Sequence, residues 1–323
     1  MSEILLICGS LILLLAIHDF FYTTLSGSGA GFIAEIVSIF SDKVIQVVVQ
    51  LTGRNAYNYQ GLFVNLMILS TWLLLIWGGL HLIYSSNPEG LTNSSGRVAN
   101  NWERLYFTGY TLSTLGMGNF KPTTAFFEIL TSCFSFFGFI FFTSSMTYFL
   151  SVSSSLVNKR SLSKGIYSLG NTPQRIAEKF RAVDPYFSYQ KFLNLQEMVS
   201  KHSVNHNSYP VIHFYTEKDK TDSFSINITR LDEAISILLN SEKDENLLAE
   251  LEPLRSSVTS FLKNMDTNFS RSLPRVGDSV NSADLPYILN GKNSEELIER
   301  RRILERLLRS EGFNWKDVVG QDM

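Results

Sequence analysis

The chain has 323 residues, 45% of them hydrophobic, a formal net charge of −2 and two cysteines. Near-neutral charge argues against a nucleic-acid partner or general adhesion to acidic surfaces. Two cysteines with no CxxC or zinc-type spacing exclude a disulfide framework, and Cys8 and Cys133, each inside an apolar segment, read as small buried hydrophobes.

A mean hydropathy of +0.05 averages two unlike parts: residues 1–150 hold nearly all the long apolar runs and 157–323 most of the charge. Residues 4–17 are continuously apolar or small and run on through His18-Asp19 into Phe20-Phe21-Tyr22. The apolar core is short, so a signal-peptide core competes with a membrane helix, but Glu3 stands where a signal peptide carries Lys or Arg. The segment reads as a membrane helix over 4–25, with His18 and Asp19 an interfacial pair and a proton-sensing role the alternative. Ser26-Gly27-Ser28-Gly29-Ala30-Gly31 is a flexible break. Residues 32–51 then place Glu35, Ser38, Asp42, Gln46 and Gln50 three or four apart. One polar stripe on an apolar helix predicts a helix lying in the membrane interface; a fourth span would bury Asp42-Lys43 at its centre.

Residues 61–84 are the clearest span, free of formal charge, with Trp72, Trp77 and Tyr84 as interfacial anchors. Asn87-Pro88, Gly90 and Gly96 break regular structure over 85–101, where Asn93-Ser94-Ser95 matches a glycosylation acceptor. Residues 103–113 have helical spacing of aromatics (Tyr106, Phe107, Tyr110) and run straight into Thr114-Leu115-Gly116-Met117-Gly118-Asn119-Phe120-Lys121-Pro122. Two glycines one residue apart at membrane depth free the backbone for conformations closed to other residues. Non-helical backbone at that depth is tolerated only where protein buries it or it lines a watery path. A bare glycine turn between two membrane helices is the plain alternative.

Residues 112–119, with Pro122 closing the loop, resemble the filter signature of the two-transmembrane pore-domain potassium channels. The resemblance covers residues 61–157. It implies an outer helix, a pore helix, a filter loop and an inner helix, with Thr114, Leu115, Gly116, Met117 and Gly118 turning carbonyls toward a permeating ion and Asn119 and Pro122 at the filter rim. Leu115 replaces the family's valine or isoleucine, Met117 its bracing tyrosine and Asn119 its rim aspartate. Gly138, 20 residues after Gly118, falls where the family carries its inner-helix hinge, and close helix packing is the other reading of that glycine.

Residues 123–157 are helical in pattern and rich in phenylalanine. At 1.5 Å per residue they outrun a hydrocarbon core of roughly 30 Å. Phe139, Phe142, Met146 and Leu150 share a stripe, so Phe139, Phe142 and Met146 are candidate pore-lining residues that narrow to an apolar constriction; helix packing or lipid contact is the alternative. Glu128, the one acid of this helix and near the outer mouth, is expected to hydrogen-bond the pore loop, with concentrating cations there as the alternative. Lys159-Arg160 and Lys164 put the C-terminal part on the cytoplasmic side, and three spans then leave the N-terminus outside.

Residues 158–323 read as mainly helical, with helices over 172–183, 187–201, 224–240, 246–265 and 294–310, and one strand-like run at 209–215. No GxGxxG, P-loop, nucleophile elbow or paired-carboxylate pattern appears, so no enzyme is indicated. His202, His206 and His213 could be drawn as a metal site, but Ser/Asn-rich surroundings favour a plain reading. Arg300–Arg302 reads as a solvated helix face.

The expectation is an all-α membrane protein: an N-terminal membrane helix (1–25), a linker with an interfacial helix (26–60), a potassium-channel-like pore domain (61–157) and a cytoplasmic regulatory domain (158–323). The expected function is a homotetrameric cation channel of the cell membrane, selective for potassium, with no cofactor and no metal beyond permeating monovalent cations. An unidentified ligand or protein is expected at the cytoplasmic domain. A weakly selective cation channel is the runner-up, and a non-conducting sensor or scaffold with a channel-like fold the reading from another class.

Overall fold

The computed structural model describes residues 2–116, 118–182, 185–241, 244–274 and 294–320. Among these the chain is almost wholly helical. Two compact units are formed, one from residues 1–41 with 63–152, the other from 42–62 with 153–323.

The first unit holds α1 (Glu3–Leu25), the start of α2 (Phe32–Thr52), most of α3 (Tyr57–Ser85), α4 (Asn101–Leu112) and the first part of α5 (Ala125–Tyr167). Among the described residues, three helices are long and apolar enough to cross a membrane: Glu3–Leu25, Arg54–Ser85 and Ala125–Tyr167. Small residues let α1 and α3 touch: a Cβ on Gly9 would lie 2.7 Å from the Gly79 carbonyl, and one on Gly79 3.0 Å from the Gly9 carbonyl. Such close crossings replace the hydrophobic drive that lipid cannot supply.

Asp19 is a correction to the interfacial pair. It is 3% exposed and accepts hydrogen bonds from the first amides of α2, Ile33 at 2.8 Å and Ala34 at 3.1 Å, and from the Trp72 indole at 2.7 Å. The carboxylate thus caps a helix that begins 13 residues later, where the helix dipole favours a negative charge. Gly31 makes this feasible, because any side chain there would occupy the place of the Asp19 carboxylate.

The cysteines are a second correction: Cys8 and Cys133 are both exposed on the chain. In a helix bathed by lipid, apolar character does not require a protein neighbour.

The second unit is built around α8 (Phe224–Ser241), buried on nearly every side. Around it pack α6 (Pro173–Ala182), α9 (Glu245–Asn268), α10 (Ser294–Ser310) and α11 (Trp315–Val319), while α7 (Pro185–Ser208) runs along α9. The end of α5 enters the same core through Leu162 and Ile166. The expected strand at 209–215 is instead a 3₁₀ turn, Pro210–Phe214. Proline at its first position supplies a fixed φ and no amide, which suits a helical start.

The expected solvated arginine face is also corrected. Arg300 and Arg301 are 4% and 7% exposed. Arg300 grips Asp232, and Arg301 forms a bidentate pair with Glu233 at 2.7 Å. Arg255 adds a 3.0 Å bond to Asp232. Burial alone would raise the Asp232 carboxyl, and the Arg255 and Arg300 charges outweigh it, holding it below the usual carboxylate range. Arg302 alone keeps to the outer side, paired with Glu299.

Candidate functional site

Residues 85–124 form the loop, short helix and return that separate α3 from α5. Asn100 caps α4: its side chain accepts from the Glu103 amide at 3.0 Å while the Glu103 carboxylate takes the Asn100 amide at 2.7 Å. This reciprocal box fixes where the helix begins. Its flank packs on α3, where the Trp77 indole donates to the Leu105 carbonyl and the Thr108 hydroxyl, both at 3.1 Å. Gly109 lets that indole approach to within 3.3 Å of where a Cβ would be.

The return path is pinned by a feature not visible in the sequence pattern. Phe120–Pro122 (β2) pairs antiparallel with Leu91–Asn93 (β1), Thr92 opposite Lys121. Thr123 adds two bonds to the carbonyls of Glu89 and Gly90. The Tyr110 hydroxyl, from α4, donates to the Phe120 carbonyl at 3.4 Å. Both ends of the 113–119 loop are therefore held by the same scaffold.

Between these ends the backbone takes an unusual course. Thr114 has φ +59°, Gly116 +63° and Gly118 +69°, and among the described residues Thr114 is the one non-glycine with positive φ. A β-branched residue in the left-handed region is a genuine outlier, costing on the order of 1–2 kcal/mol. Such strain persists only where the surroundings over-determine it, and it clusters at functional sites. Leu115, lying between, keeps negative φ. Alternating the sign of φ turns successive peptide planes the same way, so carbonyls can align on one side. Met117 lies outside the described residues. Leu115, Gly116, Gly118 and Asn119 are exposed, and nothing stands within 4 Å of a Cβ on Gly116 or Gly118. The loop lies beyond the C-terminal end of α4, whose dipole presents negative partial charge there.

The inner helix α5 is continuous through Gly138. A Cβ on Gly138 would collide with the Leu112 carbonyl at the end of α4. The glycine therefore lets the long helix rest directly on the last turn before the loop. Phe139, Phe142 and Met146 are 64%, 66% and 48% exposed on the chain, with Leu150 at 63%. A cavity of about 630 Å³ lies where Leu73, Trp77, Leu112 and Thr114 face Gly138, Phe139 and Phe142. Glu128 has no hydrogen bond from its carboxylate to the pore loop among those described; its carbonyl accepts from Ser132. Pro122 sits in β2 opposite Leu91.

In the second unit His202, His206 and His213 do come together, with ring centroids 5.6 and 5.5 Å apart in succession. All three are buried, packed against Phe224, Phe261 and Phe269. Among the described residues no group of His, Cys, Asp or Glu is arranged to hold a metal ion. Burial, with the Lys159 charge nearby, pushes His202 and His213 down to about 3 and His206 well below its ordinary value.

A family profile described as "Ion channel" matches residues 67–154, from α3 through the loop into α5. An uncharacterized membrane protein of Bacillus subtilis (strain 168), YdjJ, is 30% identical over 277 residues, 83% of this chain and 80% of its own length. No solved structure matches the chain. The chain is a membrane protein related to YdjJ, and its residues 67–154 belong to the two-transmembrane ion-channel pore family.

Proposed function

We propose that four copies of the chain assemble around the 114–118 loop as a cation channel selective for potassium. The observation that carries this reading is the alternating left-handed backbone at Thr114, Gly116 and Gly118, placed beyond the negative end of α4. One chain supplies one such loop, and only a ring of loops turning carbonyls inward can replace an ion's hydration shell. Thr114 to Gly118, Met117 included, form the filter with potassium as the permeating ion, and Asn119 and Pro122 form its rim. Phe139, Phe142 and Met146 line the path below. Gly138 is the hinge of α5, and bending there has to part it from the Leu112 carbonyl.

The second unit, with 158–323 as its main part, is a cytoplasmic regulatory domain that takes an unidentified ligand or protein. The protein sits in the cell membrane with this domain inside. α2 lies in the interface, its exposed Phe32, Ile36, Phe40, Val47 and Leu51 toward lipid. Met117 and Asn119 favour a second reading, a weakly selective cation channel, because they remove the family's brace and rim charge.

Ion flux into liposomes carrying the purified protein tests the reading, with mass measured in mild detergent. Potassium flux from a tetramer is expected. A stable monomer or dimer, or a tetramer that passes no ion, refutes it, and equal sodium and potassium flux selects the weakly selective channel.

A further inference from the structure

The turn after α10, Glu311-Gly312-Phe313, holds two chain segments far apart in sequence. Arg54, just before α3, donates to the Gly312 carbonyl at 2.8 Å and the Glu311 carbonyl at 3.1 Å. Its guanidinium stacks over the Phe313 ring at 4.1 Å. Gly312 has φ +73°, and a Cβ there would lie 2.7 Å from the Arg54 guanidinium, so this glycine is required twice over.

The Glu311 side chain points the other way. It is 2% exposed and accepts from the Ser223 hydroxyl at 2.9 Å and the Ser225 amide at 3.3 Å. Its second oxygen lies 3.7 Å from the ammonium of Lys159, which is 4% exposed on the far part of α5. Lys159 also donates to the Tyr215 carbonyl at 2.7 Å. The next residue, Thr216, bonds Gln60 in the second turn of α3 at 2.9 Å, and the Tyr215 ring lies where a side chain on Gly61 would be.

Each helix is thus gripped twice, once by 311–313 and once by 215–216. The ions chosen are expensive to bury unless they meet partners, and hydrophobic residues would have packed α5 as well. Long cationic side chains reaching one turn from two helices serve connection better than core filling.

We propose that the Glu311–Phe313 turn is the element through which the C-terminal unit sets the pore: it ties the start of outer helix α3 to the end of inner helix α5, and its displacement shifts the balance between open and closed states. This rests on the channel reading above. The two helices leave the node toward the loop and toward Gly138, so a change in their spacing at Arg54 and Lys159 is delivered to the pore by covalent continuity.

The test is single-channel recording of the full chain in bilayers, with Arg54→Ala as first variant because Arg54 is partly exposed. A coupling of 1–3 kcal/mol corresponds to about a 5- to 150-fold change in the open–closed ratio. At least a fivefold change is expected in Arg54→Ala and in Lys159→Met, with the potassium-to-sodium permeability ratio unaltered. The double variant should change no more than the larger single, and Arg302→Ala, which breaks a surface pair, should change nothing. A conducting wild type with unchanged opening in Arg54→Ala overturns the node and leaves the channel reading standing. Equal shifts in Arg302→Ala would also overturn it, and a wild type that conducts no ion removes both readings.

Discussion

Acidification offers the sharpest test of the C-terminal core. His202, His206 and His213 are buried among aromatic rings, and among the described residues both ring nitrogens of His202 lack a hydrogen-bond partner. In the folded chain burial keeps them neutral to far below their ordinary value of 6.5, with His202 and His213 at about 3. In the unfolded chain they take protons as pH falls through 6.5. A depressed folded value means that the stability is fully present above 6.5 and is lost as pH drops below it. At pH 5.5 each histidine costs about 1.4 kcal/mol, and the three together about 4 kcal/mol relative to pH 7.5. Asp232 does not enter this window, because its contribution is lost only below its ordinary value of 3.8. Amide exchange of α7 and α9 in the full-length protein, corrected for intrinsic rates, reads this opening energy directly. Opening should become about a thousandfold more frequent from pH 7.5 to 5.5. His202→Phe, which suits the ring packing with Phe224 and Phe261, should reduce the change to about a hundredfold. Corrected rates that stay flat over this range would refute the burial argument.

Gly116→Ala should abolish ion flux while leaving the C-terminal unit folded, because a Cβ at φ +63° costs about 1–2 kcal/mol per chain; unchanged flux in liposomes would mean that ions pass elsewhere. Gly138→Ala should both lower the thermal stability of the assembled protein, by about 1–3 kcal/mol of overpacking against Leu112, and shift opening; altered gating at unaltered stability would make the glycine a hinge without a packing role. Arg301→Met, which strips Glu233 of its bidentate partner, should destabilise the C-terminal unit by about 3–5 kcal/mol, whereas Arg302→Met on the exposed pair should cost under about 1 kcal/mol; equal costs in chemical denaturation would contradict the assignment of faces.

Much of the architecture was legible because its signals are local. The charge-free run at 61–84 lies inside α3, and the two glycines of the loop mark a backbone that the structure gives positive φ. Positive φ at Thr114 was not legible, since a β-branched residue argues against it and only the scaffold of α4, β1 and β2 imposes it. The three-residue strands were equally silent, each being too short to show alternation. The 209–215 run read as a strand from its β-branched and aromatic residues, yet Pro210 opened a 3₁₀ turn. Long-range pairs account for the remaining differences. Nothing near Arg300 and Arg301 announces Asp232 and Glu233, 68 residues earlier, and Asp19 gives no local sign of capping α2. Glu311 looks like one more charge at a helix end until Lys159 is seen beside it.

The cysteines and the phenylalanine stripe expose a deeper limit. In water an apolar residue implies a protein neighbour, because burial is what removes it from solvent. In a bilayer lipid is as apolar as leucine, so hydrophobicity places a helix in the membrane without saying which face meets protein. Cys8, Cys133 and Phe136 are all exposed on the chain for that reason. The informative residues there are the ones that cannot face lipid or cannot carry a side chain: Asp19, which needs three donors, and Gly9, Gly79, Gly109 and Gly138, which mark where a neighbouring backbone or ring touches. Small and polar residues therefore map the packing of this membrane unit, as large apolar ones map the core around α8.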